Sequence, residues 1–324
     1  MIDNEERMMI DIVLATFNGE LYLEEQIKSI QNNHHYKEFV SCLMVVDDGS
    51  TDSTEDIVAK LATYDAKIQW LSNTSGKHGA KENFSFGLSQ TQSQYVMLSD
   101  QDDVWQLDKI ALSMNKIKQL ESDTNQPSEK TPLLVFSDKE IVDENLQLIS
   151  SSYFKLKNIS KDWYLSFDQL CQQNVISGCT MLFNRALIKQ ATPVPEQAYM
   201  HDWWLAIVAS RCGKVALIDK PLIKYRQHSN NTIGANQRSK FNLLIHFSQH
   251  LKRFEKSFFQ IVEQAKAFEA FEKEHDLTKN RTISVLANLN SFSKSQKLRL
   301  FVNKTINRSH LFGRIALLIV LLRI

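Results

Sequence analysis

From residue 9 onward the chain alternates short runs of aliphatic and β-branched residues with stretches of helical spacing, the pattern of βαβ units around a sheet. Met9–Ala15 and Leu43–Val46 read as the first two strands, with helical spacing over Leu21–Ile30 between them. Ser50-Thr51-Asp52-Ser53-Thr54-Glu55 offers hydroxyls and acids to cap a helix start, and Ile57–Thr63 continues helically. Ile68–Leu71 and Tyr95–Leu98 supply two more strands, separated by a Ser/Asn/Gly loop and a helix over residues 80–90. This part is expected to be α/β and Rossmann-like, with a mostly parallel sheet.

The second half is less regular. Leu133–Phe136 and Asn174–Phe183 read as strands, Asp202–Arg211 as a helix, and Val215–Ile218 and Leu222–Tyr225 as two closing strands. Glu121–Thr131 is a polar loop containing a proline. Past Ser239 the pattern changes to long helices, with apolar residues at 247, 251, 254, 258, 261, 265 and 268 in steps of four and three. Such a heptad seam suits a helix packed on the rest of the chain, a helical hairpin, or a homodimer coiled coil. Division at 236/237 separates an α/β domain (1–236) from a helical extension (237–324).

Charge sharpens that division. The chain of 324 residues, 43% of them hydrophobic, is long enough for one large domain plus an appendage. Residues 1–236 carry 22 Lys and Arg against 31 Asp and Glu, while residues 237–324 carry 16 against 6. After Asp276 there is no acidic residue, and the chain ends in the apolar run Leu311–Ile324. That run falls short of the about 20 apolar residues a spanning helix needs. A basic helix with a greasy end reads instead as lying on an anionic inner membrane leaflet, or else as a core or partner-binding helix. The first residues, Met1-Ile2-Asp3-Asn4-Glu5-Glu6-Arg7, lack the features of a signal peptide, so a cytoplasmic protein, peripheral on the inner face of the membrane, is expected. Cysteines 42, 171, 179 and 212 fit no metal or redox spacing and read as reduced structural thiols.

Several acidic turns follow the strands. Asp47-Asp48-Gly49-Ser50-Thr51-Asp52 comes directly after a buried strand, at the carboxyl end where open α/β sheets bind ligands. A carboxylate there can accept from a uracil or thymine N3–H or from a ribose hydroxyl; the same residues also make a common turn and helix cap. Ser99-Asp100-Gln101-Asp102-Asp103 is placed alike after Tyr95–Leu98 and precedes Val104-Trp105 and another helix. Three carboxylates in four residues call for solvation or a cation, and their oxygens suit Mg²⁺ or Mn²⁺ bound with substrate phosphates. His201-Asp202-Trp203-Trp204 sets an acid beside aromatic bulk at a helix start, as a base over a sugar face or as a helix cap. In Tyr225-Arg226-Gln227-His228, at the end of the last strand, His228 can ligate the same metal and Arg226 can offset pyrophosphate charge; either can equally be an edge residue.

Taken together, Ala15-Thr16-Phe17-Asn18-Gly19, Asp47 to Asp52, Ser99-Asp100-Gln101-Asp102-Asp103-Val104-Trp105, His201-Asp202-Trp203 and Arg226-Gln227-His228 resemble, in order and spacing, the family 2 glycosyltransferases of the GT-A fold. The resemblance covers residues 9–232. Thr-Phe-Asn-Gly followed by Tyr22–Ile27, and Leu-Ser-Asp-Gln-Asp-Asp-Val-Trp, look like bacterial rhamnosyltransferases that extend cell-wall or capsular polysaccharide. The resemblance implies that Thr16 and Asn18 line the nucleotide pocket and that Asp48 contacts base or ribose. It puts Asp100 and Asp102 in the Asp-x-Asp motif, Asp102 as the metal ligand with Asp100 a ribose or outer contact, and leaves Asp103 as a cap of the next helix. Asp202 matches the catalytic base, and His228 a position that closes on metal and pyrophosphate. Ala15 stands where many relatives have Pro, and His201 where many have Glu.

The expected activity is inverting, Mn²⁺- or Mg²⁺-dependent transfer of L-rhamnose from dTDP-β-L-rhamnose, or of a hexose from a UDP donor, to a lipid-linked glycan acceptor. A non-catalytic nucleotide or glycan binder of the same fold is the alternative of another class, and it predicts loss of Asp102 or Asp202, both of which are present. A nucleotidyltransferase would need a Gly-rich phosphate loop with a basic residue, which Thr16-Phe17-Asn18-Gly19 does not offer. No nucleic-acid-binding module is recognisable in the basic part.

Overall fold

The computed structural model describes residues 9–124, 130–228 and 247–323. The boundary placed at 236/237 lies outside them. Nine strands form one sheet: β1 (Ile10–Thr16), β2 (Val40–Asp47), β3 (Ile68–Ser72), β4 (Tyr95–Ser99), β5 (Val104–Trp105), β6 (Leu133–Val142), β7 (Leu148–Ser150), β8 (Met181–Asn184) and β9 (Lys214–Arg226). Their order is β3-β2-β1-β4-β8-β6-β9-β5, with β7 beside β6. The first four strands are mutually parallel, and β8 enters antiparallel between β4 and β6.

Why the parallel half was readable is plain from burial. Ile12 and Leu14 of β1 point to one side of the sheet and Val13 to the other, and Met97 and Val96 of β4 divide alike. Strands covered on both faces read as unbroken apolar runs. One face is covered by α1 (Leu23–Gln31), α2 (Tyr36–Phe39), α3 (Thr54–Ala62) and, beyond α4 (Ala80–Gln90) in the chain, α5 (Lys109–Ser122). The short helices α6 (Tyr153–Lys157), α7 (Phe167–Leu170) and α8 (Arg185–Ala191) precede α9 (His201–Cys212). Phe84 of α4 and Trp204 of α9 belong to the other layer, on the opposite face. There a Cβ on Gly87 would lie 2.5 Å from Val13 Cγ1, so the lack of a side chain sets how closely α4 approaches β1.

The C-terminal helices α10 (Phe247–Glu274), α11 (Arg281–Ala287), α12 (Lys294–Val302) and α13 (Leu311–Arg323) extend that same layer. Leu251, Phe258, Ile261, Ala265 and Phe268 of the heptad seam are buried in one cluster with Trp204 and Leu286. The seam therefore packs on its own chain, and a homodimer cannot form through it without opening this core. Helix α13 is also not a free tail: Leu317, Val320 and Leu321 are fully buried. At 100° per residue, Leu311, Ile315 and Leu322 fall within about 40° of one another on the opposite side, and all three are exposed. Among the described residues no helix is long and apolar enough to cross a membrane.

Two expected elements differ. Of Asn174–Phe183 only Met181 onward is strand; the preceding residues form a loop and a short 3-10 turn at Gly178–Thr180, apolar because they are buried. The two closing strands are one, β9, whose pairing with β6 shifts register opposite Asp138 and Glu140 so that Pro221 is accommodated. All four cysteines are free thiols.

Candidate active site

A cavity of about 650 Å³ opens at the carboxyl ends of β1, β2 and β4. One end is made of turns that hold one another. Asp47 accepts from the Gly49 and Ser50 backbone N–H groups, both at 2.9 Å, and from the Ser50 hydroxyl. Ser50 Oγ accepts from Asn18 N at 2.8 Å, and Asn18 Oδ1 accepts from Thr51 N at 2.9 Å. Asn18 takes a positive φ of 46° in this turn, a conformation asparagine tolerates better than most residues. Gln101 clips the turn to the acidic loop: its Oε1 accepts from Thr16 Oγ1 at 2.7 Å and Phe17 N at 2.8 Å, and its Nε2 donates to Phe17 O at 3.2 Å. Asp48 accepts from Gly79 N at 2.6 Å and Asn73 Nδ2 at 3.3 Å, with His78 Nδ1 at 3.0 Å.

The middle of the cavity is acidic. Asp102 Oδ2 and His228 Nε2 lie 2.7 Å apart, brought together because β9 ends beside the loop that follows β4. Asp103 is not a helix cap: Asp108 stands at the start of α5, while Asp103 is buried and takes the Arg226 backbone N–H at 3.2 Å. Its Oδ2 has no hydrogen-bond partner. At the far end Asp202, in the first turn of α9, accepts from Gly178 N at 3.1 Å and Trp203 N at 2.6 Å. The cavity wall thus includes Thr16, Asn18, Asp48, Asp100, Asp102, Asp202 and His228.

The sequence profile of glycosyl transferase family 2 matches residues 11–172, half of the chain. The chain belongs to glycosyl transferase family 2. Among curated relatives of this family 2 chain is the dTDP-rhamnosyl transferase RfbG of Shigella flexneri, 28% identical over 236 residues, covering 69% of this chain and 74% of the relative. A GalNAc(5)-diNAcBac-PP-undecaprenol beta-1,3-glucosyltransferase of Campylobacter jejuni is 35% identical over 94 residues, 29% of each chain. The fold is that of S. aureus TarS 1–349 in complex with UDP-GlcNAc, with a TM-score of 0.56, 16% identity and coverage of 98% of this chain and 91% of that one. Similar too is the mannosyltransferase PcManGT of Pyrobaculum calidifontis in complex with GDP-Man and Mn²⁺, with a TM-score of 0.53, 13% identity and coverage of 96% and 86%. The protein is a GT-A glycosyltransferase.

The electrostatics of this family 2 site are dominated by crowded carboxyls. Burial, and then the Asp102 charge, pushes the Asp100 carboxyl up to about 7. The same two causes carry Asp103 well above the ordinary carboxylate range, against the pull of Lys139. Two metal-type groupings are present. Asp100, Asp103 and Cys179 have ligand atoms within 4.8 Å of one another, but a soft sulfur ligand suits a hard cation such as Mg²⁺ or Mn²⁺ poorly. Asp102 and His228 face the open cavity and supply the oxygen and nitrogen that Mn²⁺ accepts. They fit a divalent ion better. Arg226 does not join them. Its guanidinium donates to Asp102 O at 2.8 Å, Glu144 O at 2.6 Å and the Glu25 carboxylate, and lies over the Tyr22 ring. It clamps the end of β9 to α1, and the role expected for it at the pyrophosphate is not supported.

Burial also raises the Asp202 carboxyl to about 6, opposed by the Trp203 and Gly178 N–H groups and by Lys139. His201 is buried against the Phe84 ring, 4.1 Å between centroids, with its pKa depressed to about 3 by that burial, so it is neutral beside the acid. Among the wall-forming residues to which the sequence reading gave no role are Gln101, Lys139 and Tyr153. Lys139 does not stand out locally, since it sits in the polar run Ser137-Asp138-Lys139-Glu140 of β6.

Proposed function

We propose that the protein transfers a sugar, with inversion, from a nucleoside diphosphate donor to a hydroxyl of a lipid-linked glycan. The observation that carries this reading is that one cavity holds the Asn18 and Asp48 turns, the Asp102–His228 pair and a buried Asp202 whose carboxyl is raised to about 6. The base or ribose would rest against Thr16, Asn18 and Asp48, with Asp100 toward the ribose. Asp102 and His228 would hold Mn²⁺ or Mg²⁺, which when bound supplies Lewis-acid stabilisation of the leaving diphosphate. Asp202, fixed by two backbone N–H groups, takes the proton of the acceptor hydroxyl as that oxygen attacks the anomeric carbon opposite the diphosphate. One carboxylate suffices for a single displacement.

L-rhamnose from dTDP-β-L-rhamnose is the proposed donor sugar, on the strength of the similarity to RfbG over 69% of this chain. An acceptor carried on a polyprenyl diphosphate is in keeping with the undecaprenol-linked substrate named for the C. jejuni relative. The exposed Leu311, Phe312 and Ile315, with Lys294, Arg299 and Lys304 nearby in the chain and exposed, give the C-terminal helices a face suited to the anionic inner surface of the cell membrane where such an acceptor lies. A UDP-hexose is the second donor to test, because TarS binds UDP-GlcNAc on the same fold. Incubation with Mn²⁺, lipid-linked acceptors and a panel of dTDP-, UDP- and GDP-sugars should release nucleoside diphosphate with one donor. Absence of turnover with every donor, together with absence of metal-dependent nucleotide binding, would sink the proposal.

A further inference from the structure

The proposed reaction gives no task to Lys139, a buried cation on the cavity wall. Lys139 on β6 is 5% exposed, yet it lines the cavity between the acidic loop and Asp202. Its Nζ donates to Ser177 Oγ at 2.9 Å and lies 3.6 Å from the centre of the Tyr225 ring and 4.8 Å from that of Tyr153. An ammonium carries three N–H donors, and Ser177 accepts only one of them. The aromatic faces attract the charge but supply no oxygen. Burial of a cation so incompletely satisfied is costly unless a ligand completes it.

The position says what that ligand is. Asp100 and Asp103 act on the Lys139 charge, Lys139 acts on Asp202, and all but the buried Asp103 line the same cavity. Ser177, which holds the ammonium, adjoins Gly178, whose N–H holds Asp202. In a single displacement the sugar ring occupies the space between the leaving diphosphate and the base. We propose that Lys139 is a specificity-determining residue, its free N–H groups donating to hydroxyl oxygens of the sugar being transferred. This rests on the glycosyl-transfer reading. The Tyr225 and Tyr153 faces hold the ammonium in place by cation–π attraction.

The test compares sugar nucleotide with nucleotide alone. Wild type and Lys139→Met are titrated calorimetrically, with Mn²⁺, against dTDP, dTDP-β-L-rhamnose, UDP and UDP-glucose, and transfer is followed in parallel. The expected result is unchanged affinity for the nucleoside diphosphate, within about twofold, and a loss of about tenfold or more for the sugar nucleotide that wild type uses. A deoxy analogue lacking the contacted hydroxyl should bind both proteins equally. Ser177→Ala, which frees the ammonium but leaves it in place, should give a smaller loss of the same kind, about threefold, and provides the readout if the methionine variant does not fold. Equal weakening of nucleotide and sugar nucleotide would overturn the inference, since Lys139 would then serve the diphosphate or the carboxylates; so would no change in either. A wild-type protein that binds none of the four, and neither GDP nor a GDP-sugar when these are added to the series, overturns the transferase reading itself.

Discussion

The two ends of the cavity are built on opposite principles. At the nucleotide end nearly every polar group is already spoken for: Asp47 accepts three hydrogen bonds, Asn18 and Ser50 hold each other's turns, and Asp48 is tied to Gly79 and Asn73. At the base end the charges are crowded and under-satisfied, with raised Asp100, Asp103 and Asp202 carboxyls, a lysine with one oxygen partner and a neutral histidine with no hydrogen bond. The first end gains stability from being complete. The second concentrates perturbed ionisable groups in one cavity, the arrangement expected where chemistry occurs.

The contrast can be broken most sharply at Asp202. Asp202→Asn should lower transfer by about 10³-fold while nucleoside diphosphate affinity stays constant, measured by product release and calorimetry; retained transfer would remove Asp202 as the base. Next in size, Asp102→Asn should abolish the Mn²⁺ dependence of nucleotide binding, with about a hundredfold loss at saturating metal; unchanged metal dependence would move the ion to another group. Acidity gives a third handle. Asp202 accepts a proton only when ionised, so kcat/KM should rise through pH about 6 and be lost below it. A flat profile there would contradict the assignment.

The same raised carboxyl has the opposite sign for stability. Its folded-state pKa lies above the ordinary value of 3.8, so the folded protein binds the extra proton between those values and loses stability as pH rises through that window. Asp202→Asn should therefore melt no lower than wild type at neutral pH, whereas Asp47→Ala, which orphans three donors at the nucleotide end, should cost about 2 kcal/mol and several degrees in Tm. Equal effects of the two on Tm would erase the distinction between the ends. The smallest effect is expected at the C-terminal helices. Exchanging Leu311, Phe312 and Ile315 for Gln should weaken binding to anionic vesicles by about tenfold without changing Tm. Deletion of the whole helix is a poorer test, since Leu317, Val320 and Leu321 would leave the core uncovered.

What could be read from the sequence divides along the same line. Strands β1 to β4 were legible because burial on both faces leaves an apolar run with few alternatives, and the turns after them because Asp, Asn, Ser and Gly advertise their own local hydrogen bonds. The base end was legible only at Asp202. Residues 174–180 are apolar through burial rather than strand pairing, and β9 bends past Asp219-Lys220-Pro221, which reads as a turn in isolation. Gln101 and Lys139 owe their places to partners 85 and 38 residues away, and no local pattern reports such pairings. Arg226 misled for the converse reason: a basic residue near an acidic motif suggests a phosphate contact, and only the fold shows its donors taken by Asp102 O, Glu144 O and Glu25.

The Gln101 clip makes one mechanical unit of the turn that would receive the nucleotide and the loop that carries Asp100 and Asp102. Any molecule that settles the Thr16–Gly19 turn also bears on Asp100 and Asp102, the chain neighbours of Gln101, and the influence must run equally in reverse. Nucleotide and divalent ion should therefore raise each other's affinity by a common factor, with Gln101→Ala shrinking that factor from both directions at once. On the proposed reading, a single amide would make selection of the donor and recruitment of the ion one thermodynamic event.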